Sequence, residues 1–208
     1  MAFSPDGKLF VLEQDGTIEV YQGSGNTEWT QLAPSRNLFD ADPITVNASS
    51  ERGLLGLAFD PDYETNRYIY VYYTATASVH NRISRFKLKS DGVRIVPGSE
   101  EPLMDLETLS AGNHNGGAMH FGPDGKLYVA VGDNADSDNS QSINTRLGKI
   151  LRLNPDPADP IPSDNPSSID GIAGTTTGNM RSIWAAGQRN PYTFAFKPRT
   201  STMFINDV

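Results

Sequence analysis

The stretch "AGNHNGGAMHFGPDGKLYVAVGDN", residues 111–134, sets a histidine among asparagines and glycines and then runs through a Pro-Asp-Gly turn into an aspartate. Its second half reads as a β-hairpin. The proline presets one φ, the glycine admits φ > 0, and "KLYVAV" returns with the two-residue alternation of a strand. Three further segments repeat the design: "MAFSPDGKLFVLEQDG" from Met1, "LAFDPDYETNRYIYVYYT" from Leu57 and "FAFKPRTSTMFINDV" from Phe194. Each places Phe, one residue, then Pro before a polar turn and an apolar strand. The markers Phe3, Phe59, Phe121 and Phe196 lie 56, 62 and 75 residues apart. That spacing is long for a solenoid and suits a four-stranded propeller blade with loops.

Between markers there is room for two more strands, such as "NRISRFKL" (81–88) and "LGKILRLN" (147–154). No window sustains a 3.6-residue apolar period without Gly or Pro, so helices are not expected. Residues 154–178 carry five prolines and few large apolar side chains, which marks an inter-strand loop. The expectation is an all-β fold: one partial β-propeller domain over 1–208, with blade starts near 1, 57, 119 and 194 and the Phe strand of each blade packed inward. Six blades of this size need well over about 300 residues. The chain therefore reads as part of a propeller that stops within its fourth blade. Open blades expose sheet edges and apolar faces, so the piece is expected to be weakly stable alone.

Composition narrows the function. The 208 residues carry a net charge of −8 with a pI near 4.8, and no Lys/Arg cluster stands out, which argues against nucleic acid or an anionic membrane as partner. A neutral small molecule fits better. The absence of cysteine excludes disulfides, thiolate catalysis and Cys-bound zinc, and leaves the compartment open. No apolar run reaches the roughly 18 to 20 residues that span a bilayer as a helix.

The candidate chemistry sits before the blade strands. His114 occupies a Gly/Asn-rich loop, whereas His80 and His120 fall within strand patterns and read as structural. Asp133 ends the return strand of the same hairpin, so both side chains can meet at one end of the blade. A carboxylate beside an imidazole fixes its tautomer and stabilises the imidazolium; a simple Asx turn is the other reading of Asp133. Arg189 and Asn190, in "GQRNPYTFAF", stand in the corresponding place one blade later. There an arginine is either a fork for carboxylates and oxyanions or a partner for loop carbonyls. Glu51 and Arg52 stand there one blade earlier. Three blades thus direct Glu51, His114 and Arg189 toward the axis. Gly-rich nucleotide loops, HExxH and GxSxG are missing, and the acidic run 133–139 lacks the Gly and distal Glu of an EF-hand loop.

Together, "ERGLLGLAFDPDYETNRYIYVYYT", "NRISRFKL", "HNGGAMHFGPDGKLYVAVGDN", "LGKILRLNPD" and "AAGQRNPYTFAF" resemble the soluble PQQ-dependent glucose/sorbosone (aldose sugar) dehydrogenases, which are six-bladed β-propellers. The resemblance implies a periplasmic or secreted oxidoreductase that passes hydride from the anomeric carbon of an aldose to PQQ, with a soluble electron acceptor downstream. It implies that His114 is the general base and Asp133 its orienting partner, and that Arg189, Asn190, Glu51 and Asn113 border the cofactor. Two positions depart from the pattern: Glu51 is often a glutamine in glucose-oxidising members, and Asn113 is an aspartate in some. The calcium that bridges to PQQ is expected to take its ligands beyond Val208, which makes this chain alone an expected poor catalyst. The alternative is a non-enzymatic propeller that binds carbohydrate or protein, as in the hedgehog-interacting proteins; those relatives are cysteine-rich, and this chain has no cysteine.

Overall fold

The computed structural model describes residues 1–24, 28–32, 37–39 and 42–208. Three four-stranded antiparallel sheets follow one another along the chain. The first is β1 (Ala2–Phe3), β2 (Lys8–Leu12), β3 (Ile18–Ser24) and β4 (Glu28–Leu32). The second is β5 (Leu54–Phe59), β6 (Tyr68–Ala75), β7 (His80–Lys87) and β8 (Glu101–Thr108), with the four-residue helix α1 (Tyr63–Asn66) in its first turn. The third is β9 (Met119–Phe121), β10 (Leu127–Val131), β11 (Lys149–Leu153) and β12 (Ile183–Ala186), with α2 (Ser137–Ser140) between β10 and β11. A fourth sheet pairs β13 (Pro191–Phe196) with β14 (Met203–Asp207). Strand order equals chain order in every sheet, the meander of a β-propeller blade. Blades two and four begin three residues before the expected points, at Leu54 and Pro191.

The second strand of each inner blade is buried on both faces, which is why its sequence is apolar almost throughout. In β6, Ile69, Val71 and Tyr73 enter the core shared with blade one, and Tyr70 and Tyr72 enter the core shared with blade three. In β10, Leu127, Val129 and Val131 face blade two, while Tyr128 and Ala130 face blade four. Alternation over two residues therefore sorts side chains between two interfaces rather than between core and water.

The marker phenylalanines join successive blades. Phe59, Phe121 and Phe196 each lie on the first strand of a blade and meet an aromatic on the second strand of the preceding one. Phe59 packs on Phe10 at 4.9 Å, Phe121 on Tyr70 at 5.3 Å and Phe196 on Tyr128 at 5.0 Å between ring centroids, all edge to face. Phe59, Phe121 and Phe196 are accordingly half-buried. Phe3 has no earlier blade in this chain and is 62% exposed, with its ring against Trp29 of its own sheet. The repeat thus carries an inter-blade contact.

Candidate active site

The loop between β8 and β9 carries His114 with φ at +57°, a left-handed conformation that non-glycine residues seldom adopt. Neighbouring blades hold it there. The Glu51 carboxylate accepts the His114 backbone N–H at 2.8 Å, the Glu51 N–H donates to the Gly112 carbonyl at 3.0 Å, and an Arg52 guanidinium nitrogen donates to the Ala111 carbonyl at 2.7 Å. From its own blade, the Asn134 side chain accepts from the Ala111 N–H at 2.9 Å and donates to the Ser110 hydroxyl at 2.8 Å. Gly132 completes the fit by lacking a side chain: a Cβ there would lie 2.1 Å from the His114 carbonyl oxygen.

These restraints bring His114 Nδ1 to 2.7 Å from Asp133 Oδ1. Both side chains are nearly buried, with His114 8% and Asp133 2% exposed. Asp133 Oδ1 also accepts the Ala135 N–H at 2.9 Å, so the Asx turn and the imidazole contact coexist in one residue. A carboxylate only accepts, which assigns the proton to Nδ1 and leaves the Nε2 lone pair free. Among the described residues Nε2 has no hydrogen-bond partner, and His114 lines a cleft of about 450 Å³ with Asn113, Asp133, Ser137, Ser140 and Arg189. His80 sits at the start of β7 with Nε2 3.1 Å from Asp105, and His120 on β9 packs edge-on against Phe194, both apart from this cleft.

The expected convergence of Glu51, His114 and Arg189 is resolved differently. Asn190, not Arg189, meets the Glu51 carboxylate: its Nδ2 lies 3.4 Å from Glu51, and its Oδ1 accepts the Gly116 N–H at 3.1 Å. Glu51, His114 and Asn190 thus join three blades. The Arg189 side chain is exposed on the cleft rim, where its guanidinium donates to the Val208 carbonyl, while its backbone N–H donates to the Asp207 carboxylate. Asn113 is half-buried in the cleft wall. Among the described residues no three His, Cys, Asp or Glu side chains cluster to hold a metal ion.

Glu51 therefore acts here as a strut. Replacing it with alanine should cost about 1 kcal/mol in denaturant unfolding through the lost N–H acceptor, and glutamine should recover most of that. An unchanged midpoint in the alanine variant would show that the carboxylate bears no such load.

Sequence reasoning missed Lys149 and Arg152, taken only as strand residues of "LGKILRLN". Nothing in the sequence marked them: the structure buries all five residues of β11, and charged groups on such a strand need partners. Arg152 finds Asp124, Asp164 and Asn165. Lys149 turns toward the His114 side of the blade. Among the described residues no helix is long and apolar enough to cross a membrane.

Comparison with known proteins agrees with this architecture. The chain is 28% identical to quinoprotein glucose dehydrogenase B of Acinetobacter calcoaceticus over 95% of its length, which is 43% of that protein. It is 30% identical to human Hedgehog-interacting protein over 74% of its length and 23% of that protein. Among solved structures, the PQQ-bound form of aldose sugar dehydrogenase from Streptomyces coelicolor superposes with a TM-score of 0.73 at 27% identity, covering 98% of this chain and 54% of that one. The chain spans about half the length of the enzymes it matches. The family model for Glucose / Sorbosone dehydrogenase matches residues 1–208, and the chain belongs to that family.

Proposed function

We propose that the protein containing this chain oxidises the anomeric carbon of an aldose with PQQ as electron acceptor, and that His114 is its general base. The observation that carries the reading is the buried His114–Asp133 pair, with Nε2 unpartnered at the wall of a cleft of about 450 Å³. Nε2 takes the proton of the sugar's anomeric hydroxyl. Asp133 keeps the other ring proton on Nδ1 and stabilises the imidazolium that forms. The left-handed backbone at His114 aims the ring, and the Glu51 and Asn134 contacts keep it aimed.

The residues present fit part of a site for PQQ, a tricarboxylate quinone. Arg189 offers a guanidinium on the rim and Asn113 an amide in the wall, while Asn190, its amide engaged by Gly116 and Glu51, backs the site. When bound, PQQ supplies the acceptor for the hydride that leaves the anomeric carbon, the two-electron half of the oxidation. Arg189 is placed to balance negative charge on a bound anion, and Ser137 and Ser140 line the remaining wall. Glu51 is a carboxylate close to this region, and the His114 N–H it accepts compensates part of its charge. The calcium implied by the resemblance finds no donor cluster among the described residues. We place the activity in the periplasm or outside the cell, with a soluble acceptor reoxidising the cofactor.

The similarity to Hedgehog-interacting protein favours a second reading, a propeller that binds without chemistry. Dye-linked oxidation of a panel of aldoses by the PQQ-loaded full-length protein separates the two. Turnover that requires PQQ supports the enzyme; saturable sugar or protein binding without turnover supports the module.

A further inference from the structure

One buried charge beside the dyad has no part in the chemistry described above. Lys149 opens β11 and is 0% exposed. Its Nζ donates to the carbonyls of Asn139 at 2.6 Å, Leu147 at 2.7 Å and Ser140 at 3.4 Å. An ammonium has three N–H groups and no acceptor, so three carbonyls saturate it. Two of those carbonyls belong to α2, whose serines 137 and 140 line the His114 cleft. The Asn139 side chain then donates to the Asp133 backbone carbonyl at 2.9 Å, and Asp133 grips His114. The contacts run without a gap from the ammonium through Asn139 and Asp133 to the imidazole.

Burying an ammonium is costly unless its hydrogen bonds are made. A methionine would fill the same space but take the donor from the Asn139, Ser140 and Leu147 carbonyls, so what the charge adds is the tie between them. Glu107 at the end of β8, itself paired with Arg146, and Asp133 are the charged groups that act on it. Burial dominates over both and pushes the Lys149 ammonium down to about 8.

We infer that Lys149 is a positioning residue: its ammonium pins the Asn139 and Ser140 carbonyls, so that Asp133 holds the His114 ring with Nε2 directed into the cleft. The kinetic part of this inference rests on the sugar-oxidation reading, whereas the ring alignment does not. Above pH 8 the neutral amine keeps two donors for three carbonyls, and the pin weakens as the pH rises through that value.

The test uses full-length protein with 15N-labelled histidine. It reads the His114 ring signals without cofactor, and separately the kinetics with PQQ. Lys149→Met should lose the Nδ1–H signature of a carboxylate-bound imidazole and lower kcat roughly tenfold or more, while KM moves less than about threefold. Wild-type activity should fall as pH rises through about 8, and the variant should be flat there. Lys149→Arg, which keeps the charge, should recover part of both signals. Lys149→Met with wild-type ring signals, kcat and pH profile would overturn the proposal. If that variant fails to fold, Asn139→Ala decides: a weakened Nδ1–H signature supports the relay, and unchanged His114 signals refute it. A wild type that oxidises no sugar, with ring signals that still respond to Lys149→Met, removes the enzymatic reading and upholds the positioning role.

Discussion

Replacing His114 with alanine should lower sugar oxidation by the full-length protein by about 10²- to 10⁴-fold while the propeller stays folded. The size follows from the single lone pair at the cleft: without Nε2, the anomeric proton has only water or a weakly basic carboxylate to receive it. Asp133 does not substitute. It is buried behind the ring, and its Oδ1 is already engaged by the Ala135 N–H. Stability should fall by about 1 to 3 kcal/mol, because the buried Asp133 carboxylate loses its Nδ1–H donor, while the backbone ties of His114 to its neighbours remain. Its N–H goes to Glu51 and its carbonyl accepts from Asn134 N–H at 3.3 Å, and an alanine retains both. A further cost is the positive φ, which alanine tolerates less well than asparagine. His114→Asn should therefore melt closer to wild type than His114→Ala and be equally slow. Steady-state kinetics beside thermal melts decide the matter; a His114→Ala protein that keeps most of its turnover would remove His114 from the chemistry.

Tyr70→Ala should produce the largest loss of stability, about 3 to 5 kcal/mol in denaturant unfolding. Tyr70 is fully buried in the core between blades two and three, edge to face with the marker Phe121. Its hydroxyl donates to Asp60 at 2.8 Å and lies 2.9 Å from the Pro155 carbonyl, at the head of the long loop before the third blade's last strand. Deleting the ring removes packing from both blades at once. Tyr70→Phe isolates the polar part and should cost about 1 to 2 kcal/mol, since Asp60 still accepts from Asp62 N–H and the Asn66 side chain. A Tyr70→Ala protein within about 1 kcal/mol of wild type would show that the repeated aromatic pair is not what joins successive blades.

The repeat carried most of the fold into the sequence. Four Phe-x-Pro turns at blade spacing locate all four sheets, because a hairpin turn needs its proline and its left-handed residue wherever it recurs. The direction of the marker side chains was not legible. A two-residue alternation states that two faces differ, and it does not state that both are buried against neighbouring blades. Only the observed contacts of Phe59, Phe121 and Phe196 show that each faces the blade before it.

The site was legible in part. His114 and Asp133 lie on one hairpin, so their meeting follows from local geometry, and they meet. The partner of Glu51 was not, because adjacent residues in an irregular loop point differently: Arg189 turns to Val208, while Asn190 turns inward. Lys149 was hidden for a different reason. A charged residue at the start of a strand reads as a solvated end, and only the loop folded over it shows that it is buried.

The role of His114 as base is read most directly by single-turnover spectroscopy of PQQ bound to the full-length protein after mixing with an aldose. PQQ should bind saturably and with similar affinity to wild type and His114→Gln, with rapid loss of the oxidised-quinone absorbance in wild type and loss slowed about a hundredfold or more in the variant. Equal rates in the two proteins, or no sugar-dependent change in wild type, would contradict the assignment of His114 as the base.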